Sequence, residues 1–136
     1  MQYLQITKSR RRAALLAGAL AGLLLGSASC VGGRAARAYR VNAGGDADRG
    51  IAVINMKNCG SCHSIPGIHG ARGIVGPPLT NFARRTFIAG EAPNQPDKLA
   101  QWLMSPQSIE PHTAMPNLGL TEQQARDVAA YLYTLE

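Results

Sequence analysis

Ala125, Val128, Ala129, Leu132 and Leu135 recur at three- and four-residue spacing near the end of the chain. That period lines one face of an α-helix with apolar side chains. Thr121 and Gln124 stand just ahead of the run as a capping box, a signal for the start of a helix. A second helix is predicted from Ala47 to Asn58, capped by Asp46 or Asp48, with Ile51, Val53 and Ile54 turned inward. Asp97 to Met104 reads as another, with Leu99, Trp102 and Leu103 on one face, and Pro106 blocks its continuation. Thr80 is placed to cap a short helix through Arg84. Residues 64–78, 89–96 and 105–120 are rich in Gly, Pro or both and read as loops. No stretch alternates convincingly as a strand. The expected fold class is all-α, with about four helices and long loops.

The N-terminal part has a different pattern. Ala13 to Leu25 is apolar and carries no charge, Lys8 to Arg12 precede it as a positive run, and Gly26-Ser27-Ala28-Ser29 follow with small side chains. This is the layout of an export signal. The apolar and small residues from 13 to 29 reach only the lower limit of a membrane-crossing helix. Ser9-Arg10-Arg11 hints at a twin-arginine signal. Cys30 follows the small residues directly. Three outcomes stay open: cleavage before Cys30 with acylation of its sulfur, an uncleaved helical anchor, and plain cleavage. Ser27 stands where bacterial lipoproteins usually carry Leu. Residues 30–45, rich in Gly, Ala and Arg, read as a flexible basic tether. The expected organisation is a signal peptide or membrane anchor at 1–29, the tether at 30–45 and one domain at 46–136.

Charge follows that division. The net charge is +6, but residues 1–40 hold seven basic residues and no acid, whereas residues 41–136 hold seven basic and eight acidic ones. The leader thus contributes +7 and the rest −1. A nucleic-acid-binding domain needs a basic patch of its own, so no nucleic-acid partner is expected. Membrane tethering through the leader or a lipid on Cys30 is expected, at the periplasmic face of a bacterial inner membrane.

The chemistry is concentrated in Cys59-Gly60-Ser61-Cys62-His63. C-x-x-C-H is the attachment signature of a c-type haem. The two thiols, one helical turn apart, can form thioethers with the porphyrin, and the adjacent imidazole can turn under the ring to ligate iron. A structural zinc site would need four Cys or His ligands, and Cys30, His69 and His112 form no second pair. One covalent haem c is the expected cofactor. Its second axial ligand must come from a distant segment. Met115, in the proline-stiffened run Thr113-Ala114-Met115-Pro116, suits that role, since a thioether is an established axial ligand of haem. Met56 and Met104 fall in helical segments and read as core. His69 and His112 read as loop residues.

Between Gly50 and Leu135 the chain resembles the class I, single-haem cytochromes c. The likeness rests on Cys59-x-x-Cys62-His63, Gly76-Pro77-Pro78-Leu79, Trp102-Leu103-x-x-Pro106, Pro111-x-Thr113-x-Met115-Pro116 and Ala130-Tyr131-Leu132. From Val75 onward it is most similar to the cytochrome c domain fused to subunit II of some bacterial haem-copper oxidases, without the copper-binding domain. The resemblance implies the class I cytochrome c fold, with helices and loops wrapped around the haem. It also implies that the Pro77 carbonyl accepts a hydrogen bond from the His63 ring, orienting it. Thr113 is expected near a haem propionate, Trp102 in the pocket wall near Met115, and Arg84 or Arg85 paired with a propionate. Gly50 and Tyr131 match positions where the first and last helices cross. Ile54 stands where an aromatic is common.

With His63 and Met115 both bound, the iron is six-coordinate and has no room for substrate. The expected function is single-electron transfer in a bacterial respiratory chain rather than catalysis. The expected partners are redox proteins such as a terminal oxidase or a quinol-oxidising complex. With only Lys57 and Lys98 as lysines in the domain, a carrier that meets its partner by proximity is expected. The alternative is a haem enzyme or gas sensor with a displaceable Met ligand.

Overall fold

The computed structural model describes residues 42–136. The export leader, Cys30 and all but the last residues of the tether lie outside the described residues. Three α-helices form the frame: α1 over Ala47–Met56, α2 over Pro96–Met104 and α3 over Glu122–Leu132. Among the described residues, the remaining regular structure is short 3₁₀ turns and one small hairpin, so three α-helices stand where about four helices were expected. No helix among the described residues is long and apolar enough to cross a membrane.

The helix starts follow from local chemistry. Asp46, in extended backbone, accepts a hydrogen bond from the Arg49 amide at 2.9 Å and caps α1. Thr121 accepts from the Gln124 amide at 3.3 Å, and Gln124 accepts from the Thr121 amide at 3.0 Å, so the capping box forms in both directions. α2 opens on Pro96, which has no amide hydrogen to leave unpaired. Thr80 caps no helix. Asn81 turns the chain in the left-handed region (φ 54°) and only a 3₁₀ turn, Phe82–Arg84, follows. The hairpin pairs β1, Phe87–Ile88, with β2, Ala92–Pro93. Two residues per strand are too few for alternation to show in the sequence.

The core forms where α1 and α2 meet α3. Ile54, Leu99, Ala125 and Ala129 are almost wholly buried there. Ala43, ahead of α1, is also buried. At the crossing of α1 and α3, a side chain on Gly50 would place its Cβ 2.2 Å from the Asp127 carbonyl oxygen and 3.1 Å from the Tyr131 Cβ. Only glycine lets the two backbones approach so closely. The Tyr131 hydroxyl donates to the Pro66 carbonyl at 2.6 Å and ties the loop after the cysteine motif to α3. Met56, read as core from its helix, is 61% exposed. The inward face of α1 is set by Gly50, Val53 and Ile54, and Met56 falls on the other side.

Asp127 is the buried charge of the domain. Its carboxylate accepts from the Asp46 amide at 2.8 Å, from Arg49 Nε and Nη2 at 2.9 and 2.8 Å, and from Gln123 Nε2 at 3.0 Å. The Arg49 guanidinium, and the amide and Gln123 donors beside it, hold its carboxyl below the usual 3.8, at about 2, against the cost of burial. The carboxylate thus joins the start of α1 to the middle of α3. Asp127→Ala leaves those donors without their acceptor and will cost about 2–3 kcal/mol in denaturant unfolding at pH 7. The depressed value also fixes the sign with pH. Stabilisation by Asp127 is complete above about pH 5 and is lost as pH falls towards 2. The gap between Asp127→Ala and the parent will therefore narrow in unfolding curves recorded across that acid range.

Candidate haem site

The cysteine motif begins where α1 ends. Lys57 closes the helix, Asn58 turns left-handed (φ 55°), and Cys59–Ser61 form a 3₁₀ turn. The Cys62 and His63 amides both donate to the Cys59 carbonyl, at 3.2 and 3.0 Å. Both thiols are free and half-buried. Desolvation pushes the Cys59 thiol above its ordinary pKa.

The following loop folds back on the motif. The Gly73 amide donates to the Gly60 carbonyl at 3.0 Å and the Gly76 amide to the Cys62 carbonyl at 2.8 Å. Gly76 lies flat against the imidazole: a Cβ there would sit 2.3 Å from His63 Cε1. The backbone then brings the Pro77 carbonyl 2.8 Å from His63 Nδ1. A carbonyl can only accept, so Nδ1 carries the hydrogen and the Nε2 lone pair is left for a metal.

These residues open onto a largely apolar cleft of about 420 Å³, within the range of cofactor pockets. Ile54, Ile65, Leu79, Phe82, Leu103, Val128 and Leu132 supply apolar wall, and Val75 and Phe87 reach it from exposed positions. Of the expected site residues, Cys59, Cys62, His63, Pro77, Arg85, Trp102, Thr113 and Met115 all line this cleft. Arg84 is exposed and does not line it; Arg85 does. The Arg85 guanidinium donates to the Pro78 carbonyl and lies 5.2 Å from the centre of the Phe82 ring. Phe82 in turn meets Tyr133 edge to face at 6.2 Å. Burial pushes the Tyr133 hydroxyl up to about 12, and it hydrogen-bonds Asn94 at 3.0 Å.

The Met115 segment is held by side chains. The Met115 amide donates to Thr113 Oγ1 at 3.2 Å, and its carbonyl accepts from Gln107 Nε2 at 2.8 Å. The reading of the sequence missed Phe82, Gln107 and Lys57. Each acts through a contact with a segment distant in the chain or with backbone, which no spacing rule reports. Among the described residues, no three His, Cys, Asp or Glu side chains gather as a metal site of the zinc type.

A family profile for cytochrome c matches residues 47–136. The chain belongs to the cytochrome c family. That family carries covalently attached haem c, and its function is electron transfer. The donor set fits the group: two unpaired thiols beside an imidazole with one free lone pair, opening on an apolar cleft. Among relatives, this cytochrome c is 33% identical over 91 residues to cytochrome c oxidase subunit 2 of Alkalihalophilus pseudofirmus, covering 66% of this chain and 26% of the relative. It is 32% identical over 94 residues to cytochrome c oxidase subunit 2 of Bacillus sp. strain PS3, again covering 66% and 26%. The chain spans about a quarter of the length of those relatives.

Proposed function

We propose that this cytochrome c is a single-electron carrier of a bacterial respiratory chain, working with a terminal oxidase or a quinol-oxidising complex. In this reading Cys59 and Cys62 hold the haem, and His63 and Met115 are its axial ligands. Haem c supplies the one-electron iron couple. The observation that carries the reading is the convergence of His63 and Met115 on one apolar cleft, with the His63 ring locked by Pro77. A thioether ligand, a hydrogen-bonded imidazole and an apolar surround are the protein's levers on potential. With His63 and Met115 both holding the iron, dioxygen would be kept off it and reorganisation would stay small.

The likeness to oxidase subunits supports an oxidase as the electron acceptor. Export and tethering at the periplasmic face, by a lipid on Cys30 or an uncleaved leader, would hold the carrier beside that partner. The roles of Thr113 and Trp102 in lining the site, and of Arg85 rather than Arg84 as the propionate partner, belong to the same proposal. The reduced protein will be reoxidised by a detergent-solubilised haem-copper oxidase in the presence of dioxygen, and only slowly by dioxygen alone. Fast oxidation without the oxidase would contradict a carrier and favour an open haem. No oxidation with it would contradict the oxidase as partner.

A further inference from the structure

Residues 114–119, which carry Met115, make no backbone–backbone hydrogen bond among those described. Side chains hold them instead. Thr113 and Gln107 act from the same side of the sequence, and Asn117 accepts from the Gly119 amide at 2.8 Å. Lys57 comes from elsewhere. It ends α1, two residues before Cys59, and its half-buried side chain lines the haem cleft. Its ammonium donates to the Leu118 carbonyl at 2.9 Å and lies 3.4 Å from the Gly119 carbonyl. Leu118 and Gly119 stand three and four residues beyond Met115.

We propose that Lys57 is a positioning residue for Met115: it straps the Met115 loop to the segment that holds the haem, and so sets how firmly the sixth position of the iron is closed. The inference rests on the reading of Met115 as a ligand. A charged donor on carbonyls in a partly dry setting makes a stronger bond than a neutral one. The strap also spans 61 residues of sequence, joining the two segments between which the haem is held. Without it, the side-chain hydrogen bonds left to the loop are those from Thr113, Gln107 and Asn117, none of which reaches the cysteine motif.

The test is the affinity of imidazole for the oxidised protein, since imidazole must displace Met115 to bind. Lys57→Met keeps the apolar stem and removes the donor. It is expected to raise imidazole affinity about tenfold, the scale of one lost charge-assisted bond, and to weaken the red absorption band of iron–thioether bonding. In a Met115→Leu background the same change is expected to alter affinity by less than about twofold, the limit of simple additivity. Lys98→Met, which removes the same charge from an exposed site on α2, is expected to change nothing. Lys57→Gln, too short to reach both carbonyls, serves if Lys57→Met fails to mature. Unchanged imidazole affinity in both Lys57 variants would overturn the strap. So would an equal rise in both backgrounds, which is general loosening. Absence of the thioether band in the unmodified protein would instead overturn the ligand reading itself.

Discussion

Met115→Leu will open the iron. Leucine has nearly the volume of methionine and packs in the same cleft, but it has no lone pair to give. The oxidised protein is expected to lose the red iron–thioether band, and the reduced protein is expected to bind carbon monoxide readily. The potential will fall as well. If the thioether favours reduced over oxidised iron by about a hundredfold, its loss lowers the potential by about 120 mV, at 59 mV per tenfold for one electron. Spectra and redox titrations of the variant beside the parent read both effects. Unchanged spectra and potential would remove Met115 from the site. The structure supports the first outcome because Met115 lines the same cleft as His63 while Gln107 and Thr113 fix its backbone.

Gly50→Ala will damage the fold heavily. Two effects oppose each other. Alanine favours helix over glycine by about 1 kcal/mol, which on an isolated helix would stabilise α1. In this fold the new Cβ would lie 2.2 Å from the backbone oxygen of Asp127, far inside contact distance. That neighbour is backbone and cannot rotate away, so α1 must shift off α3. The shift would also strain the bonds that Asp127 makes to Asp46 and Arg49. Overpacking of a rigid contact costs about 1–3 kcal/mol and sometimes more, and the lost Asp127 bonds add to it. A net destabilisation of about 2–5 kcal/mol is expected in denaturant unfolding, with poor recovery of haem-loaded protein. A variant as stable as the parent would show that α1 and α3 do not cross at Gly50.

The crossing of α1 and α3 and the helix starts are legible in the sequence by different routes. Gly50 and Tyr131 follow from the family likeness, and the capping residues Asp46, Thr121 and Gln124 follow from local rules. The cysteine motif and His63 announce their own chemistry because a fixed spacing does the work. Asp127 was not legible. In sequence it sits between Arg126 and Val128 and reads as one polar position on α3, yet it is buried by partners 78 and 81 residues away. Arg84 and Arg85 are equivalent in sequence, and only the 3₁₀ turn decides which faces the cleft. Met56 is exposed for a related reason: the helix is legible in the sequence, but the inward face of α1 is chosen by Gly50, which a hydrophobicity pattern ignores. Thr80 lost its capping role to the left-handed turn at Asn81. Lys57 carries no motif, since its partners are carbonyls whose residue types are irrelevant.

A closed, two-ligand iron site is most directly tested by adding carbon monoxide to the reduced, unmodified protein and following its visible spectrum. With His63 and Met115 both bound, the spectrum stays that of the six-coordinate reduced haem, and a complex develops only slowly. Rapid conversion to a carbon monoxide complex would show an open or freely opening iron, and would contradict electron transfer through a sealed site.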